Sequence, residues 1–300
     1  MLSYSFQRIR YFHRTVNRVK HILVIASLVV FFSCKKETAS VSPPLSATTL
    51  SNQAYGTDAA QKMDIYLPAG RSTDNTKLIV MIHGGAWVTG DKSDFASFIP
   101  VLQQRLPSYA IANINYRLAT DASNHFPSQE NDMKAALNYI IQQAGSYTIS
   151  QKIVLLGASS GAHLATLQAY KYPTPKISAV VDFFGPVDMA ALYNSTTIPF
   201  NRSILEGLLN GTPATNPGLY QQSSPLNFVT SQSPPTLIFH GDKDEVVPLS
   251  QSVALKDKLQ SLGVINQIYI YPNQGHDIWP DPVMTDAFNK AEAFIKANVK

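Results

Sequence analysis

The run "KIVLLGASSGAHLATLQAY", Lys152 to Tyr170, decides how this chain is read. A continuous apolar stretch, Ile153–Leu156, suits a strand buried on both faces. The spacing of "AHLATLQAY" suits a helix, so the chain must bend sharply within "GASSG". Gly157 and Gly161 flank Ser159 in a Gly-x-Ser-x-Gly arrangement. On such a bend the central residue is strained, and glycines two before and two after it relieve the crowding. The bend lifts the Ser159 hydroxyl clear of the sheet, and the helix N-terminus beneath it favours developing negative charge. Ser159 is therefore the candidate nucleophile. Ser160 is the rival, but it is off-centre and is assigned a different role through its backbone N–H.

Outward from this bend, strand and helix patterns alternate. "KMDIYLP" (62–68) alternates polar and apolar residues, as a hairpin or edge strand would. "KLIVMIHGG", "YAIANINY", "ISAVVDFFG", "PTLIFHG" and "NQIYIYP" read as further strands. Helical patterns lie between them in "DFASFIPVLQQRL", "SQENDMKAALNYIIQQA", "LSQSVALKDKLQSLG" and "DPVMTDAFNKAEAFIKANV". Such alternation predicts a mostly parallel sheet with helices on both faces. The segment 186–234, rich in Pro, Asn, Ser and Gly, is long for a connection between core strands and reads as a small lid or substrate wall. Its Tyr193, Phe200 and Tyr220 are candidates either for a pocket lining or for the core.

A serine hydroxyl needs a base, and the base needs an orienting carboxylate. "FHGDKDEVVP" offers Asp242, Asp244 and Glu245, and "YPNQGHDIWP" offers His276. Both segments follow strands, so they share the sheet edge on which the bend opens. His276 is the preferred base; Asp277 is too near in sequence to orient its ring easily. "HGGAWVTGDKS" (83–93) also follows a strand, and the N–H groups of Gly85 and Ala86, with that of Ser160, are candidates for an oxyanion hole. His83 is read as bracing that loop, and Trp87 as a pocket wall or packed side chain. The seven histidines are scattered and Cys34 stands alone, so no metal spacing appears, and no cofactor is expected.

Charge narrows the partners. Arg8, Arg10, Arg14, Arg18 and Lys20 precede Cys34 with no acid among them, and without them 19 basic residues face 20 acidic ones. The body is near neutral, which excludes a basic nucleic-acid surface. The single cysteine excludes an internal disulfide. The apolar run Ile22–Phe32 is short for a transmembrane helix and fits a signal-peptide core over residues 1–33. Residues 34–51, rich in Ser, Thr and Pro, read as a flexible tether, leaving 52–300 as one domain.

Taken together, "YGTDAAQKMDIYLP", "LIVMIHGGAWVTGDKS", "INYRLA", "GASSGAHLA", "SPPTLIFHGDKDEVVP" and "QGHDIWP" resemble the α/β-hydrolase superfamily. Within it they are most similar to carboxylesterases related to hormone-sensitive lipase and to the bacterial feruloyl-esterase-like (BD-FAE-type) group. The resemblance implies Ser159 as nucleophile, His276 as base and Asp244 as orienting acid, with Asp242 as the alternative. Arg117 of "NYR" is also a family position, read as a structural ion-pair residue. Ser160 and Ala162 stand where relatives often carry Ala and Gly. The N-terminal segment ending at Ser33-Cys34 resembles a bacterial lipoprotein signal, with Phe31 where Leu is usual. That implies lipidation of Cys34, membrane attachment and an extracytoplasmic location, with cleaved secretion as the alternative. Ester hydrolysis is the implied activity, with acetylated or feruloylated polysaccharides as substrates. An arylformamidase-type amidase, a serine peptidase and a non-catalytic binding protein are the alternatives.

Overall fold

The computed structural model describes residues 44–300 apart from 121 and 197. The expected signal peptide, residues 1–33, and residues 34–43 of the expected tether lie outside the described residues. Along the chain run β1 (Thr48–Ala54), β2 (Lys62–Leu67), β3 (Lys77–Ile82), a 3-10 helix (Lys92–Phe98), α1 (Ile99–Arg105), β4 (Tyr109–Ile114), α2 (Ser128–Tyr147), β5 (Ile153–Ala158) and α3 (Ser160–Lys171). There follow β6 (Ile177–Phe183), α4 (Met189–Ser195), α5 (Pro199–Leu208), α6 (Pro217–Gln222), β7 (Thr236–Gly241), α7 (Ser250–Ser261), β8 (Asn266–Tyr271) and α8 (Val283–Asn298).

The eight strands form one sheet in the order β1-β2-β4-β3-β5-β6-β7-β8. β1 and β2 pair antiparallel, as do β2 and β4, and every later pair is parallel. This is the mostly parallel, helix-covered sheet that the alternation predicted and the α/β-hydrolase fold that the resemblance implied. The tether is the correction. Residues 48–51 belong to β1, a mostly exposed strand that pairs Thr48 with Leu67 and Thr49 with Tyr66. Its Ser, Thr, Asn and Gln read as linker because an edge strand facing water needs no apolar alternation. β2 is thus a hairpin partner inside the sheet and not its edge.

Side-chain alternation divides the core into layers. Leu78, Val80 and Ile82 of β3 and Ile153 and Leu155 of β5 face α2 and α3, against Leu137, Ile140, Leu164 and Leu167. Ile79, Met81, Val154 and Leu156 face the other way, against Ile99 and Leu102 of α1 and Phe288, Phe294 and Ile295 of α8. Each fully buried side chain of this size contributes about 2 kcal/mol, so the centre of the sheet is the rigid platform on which the loops stand. Arg117 does form an ion pair, Nη2 to Asp132 Oδ1 at 2.6 Å, and Gln61 donates to the same buried carboxylate.

Asp182, at the end of β6, is fully buried. Its Oδ1 accepts the Gly185 N–H at 2.7 Å, and its Oδ2 has no partner among the described residues. Burial pushes this carboxyl up to about 6, against the hydrogen bond from Gly185 and the nearby His240. The folded protein therefore holds a proton between about pH 4 and 6 that the unfolded chain has released. Stability from this group is present below that window and is lost as pH rises through it, by about 3 kcal/mol. Thermal unfolding at pH 4 and pH 8 should show that loss in the wild type and a smaller one in Asp182→Asn; equal pH responses would contradict it.

Candidate active site

β3 and β5 are neighbours, with Ile82 paired to Gly157. The loop after one strand therefore runs beside the bend after the other. Ser159 has φ 54 and ψ −123, a conformation that costs roughly 1–3 kcal/mol for a residue with a side chain. The close approach explains its flanking glycines. A Cβ on Gly161 would stand 2.0 Å from the Ile82 carbonyl oxygen, and one on Gly157 would stand 2.4 Å from the Gly161 carbonyl carbon.

The Ser159 hydroxyl oxygen is 2.8 Å from His276 Nε2, and His276 Nδ1 is 2.7 Å from Asp244 Oδ2. The three residues leave the sheet after β5, β7 and β8, and the edge-sharing argument from sequence holds. Asp244 is fully buried at its side chain, and its Oδ1 accepts the Val246 and Val247 N–H groups at 2.9 and 2.8 Å. Burial alone would push Asp244 up, but hydrogen bonds from His240 and His276 outweigh it and hold the carboxyl down at about 2. An ionised carboxylate only accepts, so His276 Nδ1 carries the hydrogen and Nε2 accepts from Ser159. A hydroxyl, an imidazole and a buried carboxylate in this order have the geometry of an activated nucleophile.

The competing acids have other partners. Asp242 Oδ1 accepts the Asn273 N–H at 2.7 Å and so braces the loop carrying His276. Glu245 is exposed, and the Asp277 carboxylate accepts the N–H of its neighbour Ile278.

The loop after β3 passes through three successive left-handed residues, Gly85 (φ 109), Ala86 (φ 50) and Trp87 (φ 63). Among the described residues the N–H groups of Gly85, Ala86 and Ser160 donate to no acceptor, which leaves all three amides free beside Ser159. His83 is buried, donates from Nδ1 to the Gly84 carbonyl at 2.7 Å, and stacks on Tyr116 at 4.4 Å. A carbonyl only accepts, so Nδ1 carries the hydrogen. His83 is a brace. Tyr116 Oη lies 3.1 Å from the His83 carbonyl and 3.2 Å from Ser160 Oγ, tying the loop to the bend through the Ser160 side chain.

One apolar recess opens at Ser159, and a second lies beside the preceding residue, Ala158. The first, about 360 Å³ of open space, is walled by Trp87, Leu192, Asn201, Ile204, Leu205 and Val247, mostly from the lid segment. The other, about 390 Å³, lies between Ala158, Phe98, Phe184, Met284 and Phe288 on the α8 side. Tyr193 and Tyr220 of the lid segment are on neither wall. Tyr220 is buried core, Tyr193 packs on it at 5.9 Å, and the Phe200 side chain lies outside the described residues. Two histidines that sequence reasoning passed over also stand at the site: His163, bonded to Trp87, and His240, whose Nε2 lies 3.3 Å from Asp244 Oδ2. His163 stands four residues after Ser159, one helical turn away, and that spacing was the available signal. Among the described residues no group of three or more His, Cys, Asp or Glu side chains is arranged to hold a metal ion.

A profile of the BD-FAE family matches residues 63–259, about two thirds of the chain. The chain belongs to the BD-FAE family. Esterase LipQ of Mycobacterium tuberculosis is 27% identical to this chain over 248 residues, covering 73% of this chain and 57% of LipQ. A solved bifunctional GH43-CE protein of Bacteroides eggerthii superposes with a TM-score of 0.72 at 27% identity, over 83% of this chain and 38% of that one. A truncated carbohydrate esterase from gut microbiota superposes with a TM-score of 0.69 at 29% identity, over 82% of this chain and 96% of that one. This BD-FAE chain spans about half the length of the curated relatives it matches. Gly85, Ser159 and Asp244 fall inside the profile match, whereas His276 lies beyond it, so its position is known from the fold alone.

Proposed function

We propose that this protein is a serine carboxylic ester hydrolase acting through Ser159, His276 and Asp244. The observation that carries this reading is the pair of short contacts on the His276 ring, 2.8 Å to Ser159 and 2.7 Å to Asp244. Ser159 Oγ attacks the ester carbonyl as its proton passes to His276 Nε2. The Asp244 carboxylate stabilises the imidazolium that forms, and the amides of Gly85, Ala86 and Ser160 receive the oxyanion, each donor contributing about 3 kcal/mol. The proton then leaves with the alcohol. Water, deprotonated by the same imidazole, attacks the acyl-enzyme and restores Ser159. The two recesses, at Ser159 and beside Ala158, would separate the acyl group from the alcohol.

The substrates we propose are acetyl or feruloyl esters of polysaccharides. The reading is supported by the likeness to a carbohydrate esterase from gut microbiota and to the esterase LipQ. The test is a panel of p-nitrophenyl acetate, acetyl-xylan, methyl ferulate, N-formylkynurenine and a dipeptide amide. Turnover should be highest on the esters; preferential cleavage of the formamide or the peptide would overturn the proposal.

We further propose that residues 1–33 are a lipoprotein-type signal, that Cys34 is lipidated, and that the enzyme is held at an extracytoplasmic membrane surface. The support is the basic segment, the apolar run Ile22–Phe32 and the cysteine that follows. Intact-mass analysis of protein from a bacterial membrane fraction should find an acylated N-terminal Cys34; an unmodified N-terminus at Met1 would sink the idea.

A further inference from the structure

The loop of inward amides and the lid segment are joined through one imidazole. Trp87 follows Ala86 in the left-handed turn and is nearly buried, with 4% of its surface exposed. Its indole Nε1–H donates to His163 Nδ1 at 3.1 Å, and the two rings meet edge to face at 5.1 Å and 89°. On the other side of the ring, His163 Nε2 lies 2.7 Å from the Ser223 carbonyl oxygen, just past the end of α6. A carbonyl can only accept, so Nε2 carries the hydrogen and Nδ1 keeps the lone pair that the indole needs. Burial holds the ring neutral, moving it down to about 4. The bond to Ser223 opposes that shift, and Lys171 adds to it.

Ser223 is itself fastened to the lid. The neighbouring Ser224 hydroxyl donates to the Tyr220 carbonyl and accepts the Met189 N–H, joining α6 to the start of α4. His163 stands on α3, one turn below the bend, and its N–H donates to the Ser159 carbonyl at 3.0 Å. One residue therefore joins the bend at Ser159 through its backbone, and the loop that carries the Ala86 amide and the lid through its ring.

We propose that His163 is a positioning residue for the oxyanion hole: by holding the Trp87 indole it fixes the Ala86 amide against Ser159, and by bonding Ser223 it makes that alignment depend on the lid. The two consecutive strained residues, Ala86 and Trp87, are the reason a tether is needed. Each left-handed non-glycine residue costs roughly 1–2 kcal/mol, and without an anchor the loop relaxes away from that geometry. This inference rests on the ester-hydrolase reading and goes beyond it by assigning the residue that sets the alignment.

The test is a double-mutant cycle on p-nitrophenyl acetate with Trp87→Phe, which keeps the ring and removes the N–H, and His163→Leu, which removes the acceptor. Each single change should lower kcat by roughly 10- to 100-fold, the scale expected for a small misplacement of reacting groups, with KM altered by less than about threefold. The double variant should be no slower than the slower single, because both remove one contact. His163→Asn, whose Oδ1 can stand where Nδ1 stood, should recover most of kcat. Losses that multiply, a loss confined to KM, or an asparagine variant as slow as the leucine one would each overturn the proposal. Should His163→Leu fail to fold, Trp87→Phe against His163→Asn carries the same decision: slow and near-normal supports, and the reverse overturns. Ser159→Ala measured alongside separates the two ideas, since near-normal turnover there would remove the hydrolase reading whatever the cycle gave.

Discussion

Ser159→Ala is expected to slow hydrolysis of p-nitrophenyl acetate by roughly a million-fold, to the level that the binding groups alone provide. The variant deletes the only atom that can form the acyl bond, and it leaves the rest of the site in place. His276 still bonds Asp244, and the N–H groups of Gly85, Ala86 and Ser160 stay without another acceptor among the described residues. Alanine keeps the Cβ that the native residue already holds at φ 54, so the backbone strain is unchanged and the melting temperature should move by a few degrees at most. Steady-state rates on the purified variant decide the matter, with intact mass after brief exposure to substrate as a second reading. The wild type should show a transient acyl adduct and the variant none. A variant retaining more than about a hundredth of the wild-type rate would mean that another group attacks.

Asp244→Asn should cost roughly ten-thousand-fold, and the reason lies in how the carboxylate is held. One oxygen accepts two backbone N–H groups, from Val246 and Val247, and the other faces His276 Nδ1 and His240 Nε2. An amide has only one oxygen. Two backbone donors at 2.8 and 2.9 Å claim it, which turns the amide NH₂ towards His276. The ring must then accept at Nδ1 and carry its hydrogen on Nε2, where it points at the Ser159 hydroxyl and cannot take its proton. Geometry survives while the tautomer is wrong. The measurement is kcat on the same ester, together with KM, which should stay within a few-fold. A loss below tenfold would show that His276 is oriented by something other than Asp244.

Much of this was legible in the chain. Seven of the eight strands announce themselves as apolar runs or alternations, because strands buried on two faces leave no room for polar residues. The bend at Ser159 was legible for a related reason: two glycines are demanded by backbone approaches under 3 Å, and few other needs would put them there. β1 was hidden by its exposure, and its Thr and Ser residues look the same in a tether and in a water-facing edge strand. The choice among Asp242, Asp244 and Glu245 could not be settled from spacing, since it depends on which carboxylate meets His276 from the loop after β8 and His240 from the end of its own strand. His163 offered only its four-residue spacing from Ser159, and His240 offered nothing, for the same cause. Their importance lies wholly in partners 60 or more residues away for the first, and in the neighbouring fold of its own loop for the second.

The free rim of the platform carries the hydroxyl, the acid and the ring on three separate connections, while the strands beneath supply the only common frame. A slight change in the twist between β5 and β8 would displace all three relative to one another by tenths of an ångström, long before the core itself gave way. Turnover in this protein is thus a finer gauge of sheet shape than any melting curve, and conservative repacking deep under the rim should register first as lost rate.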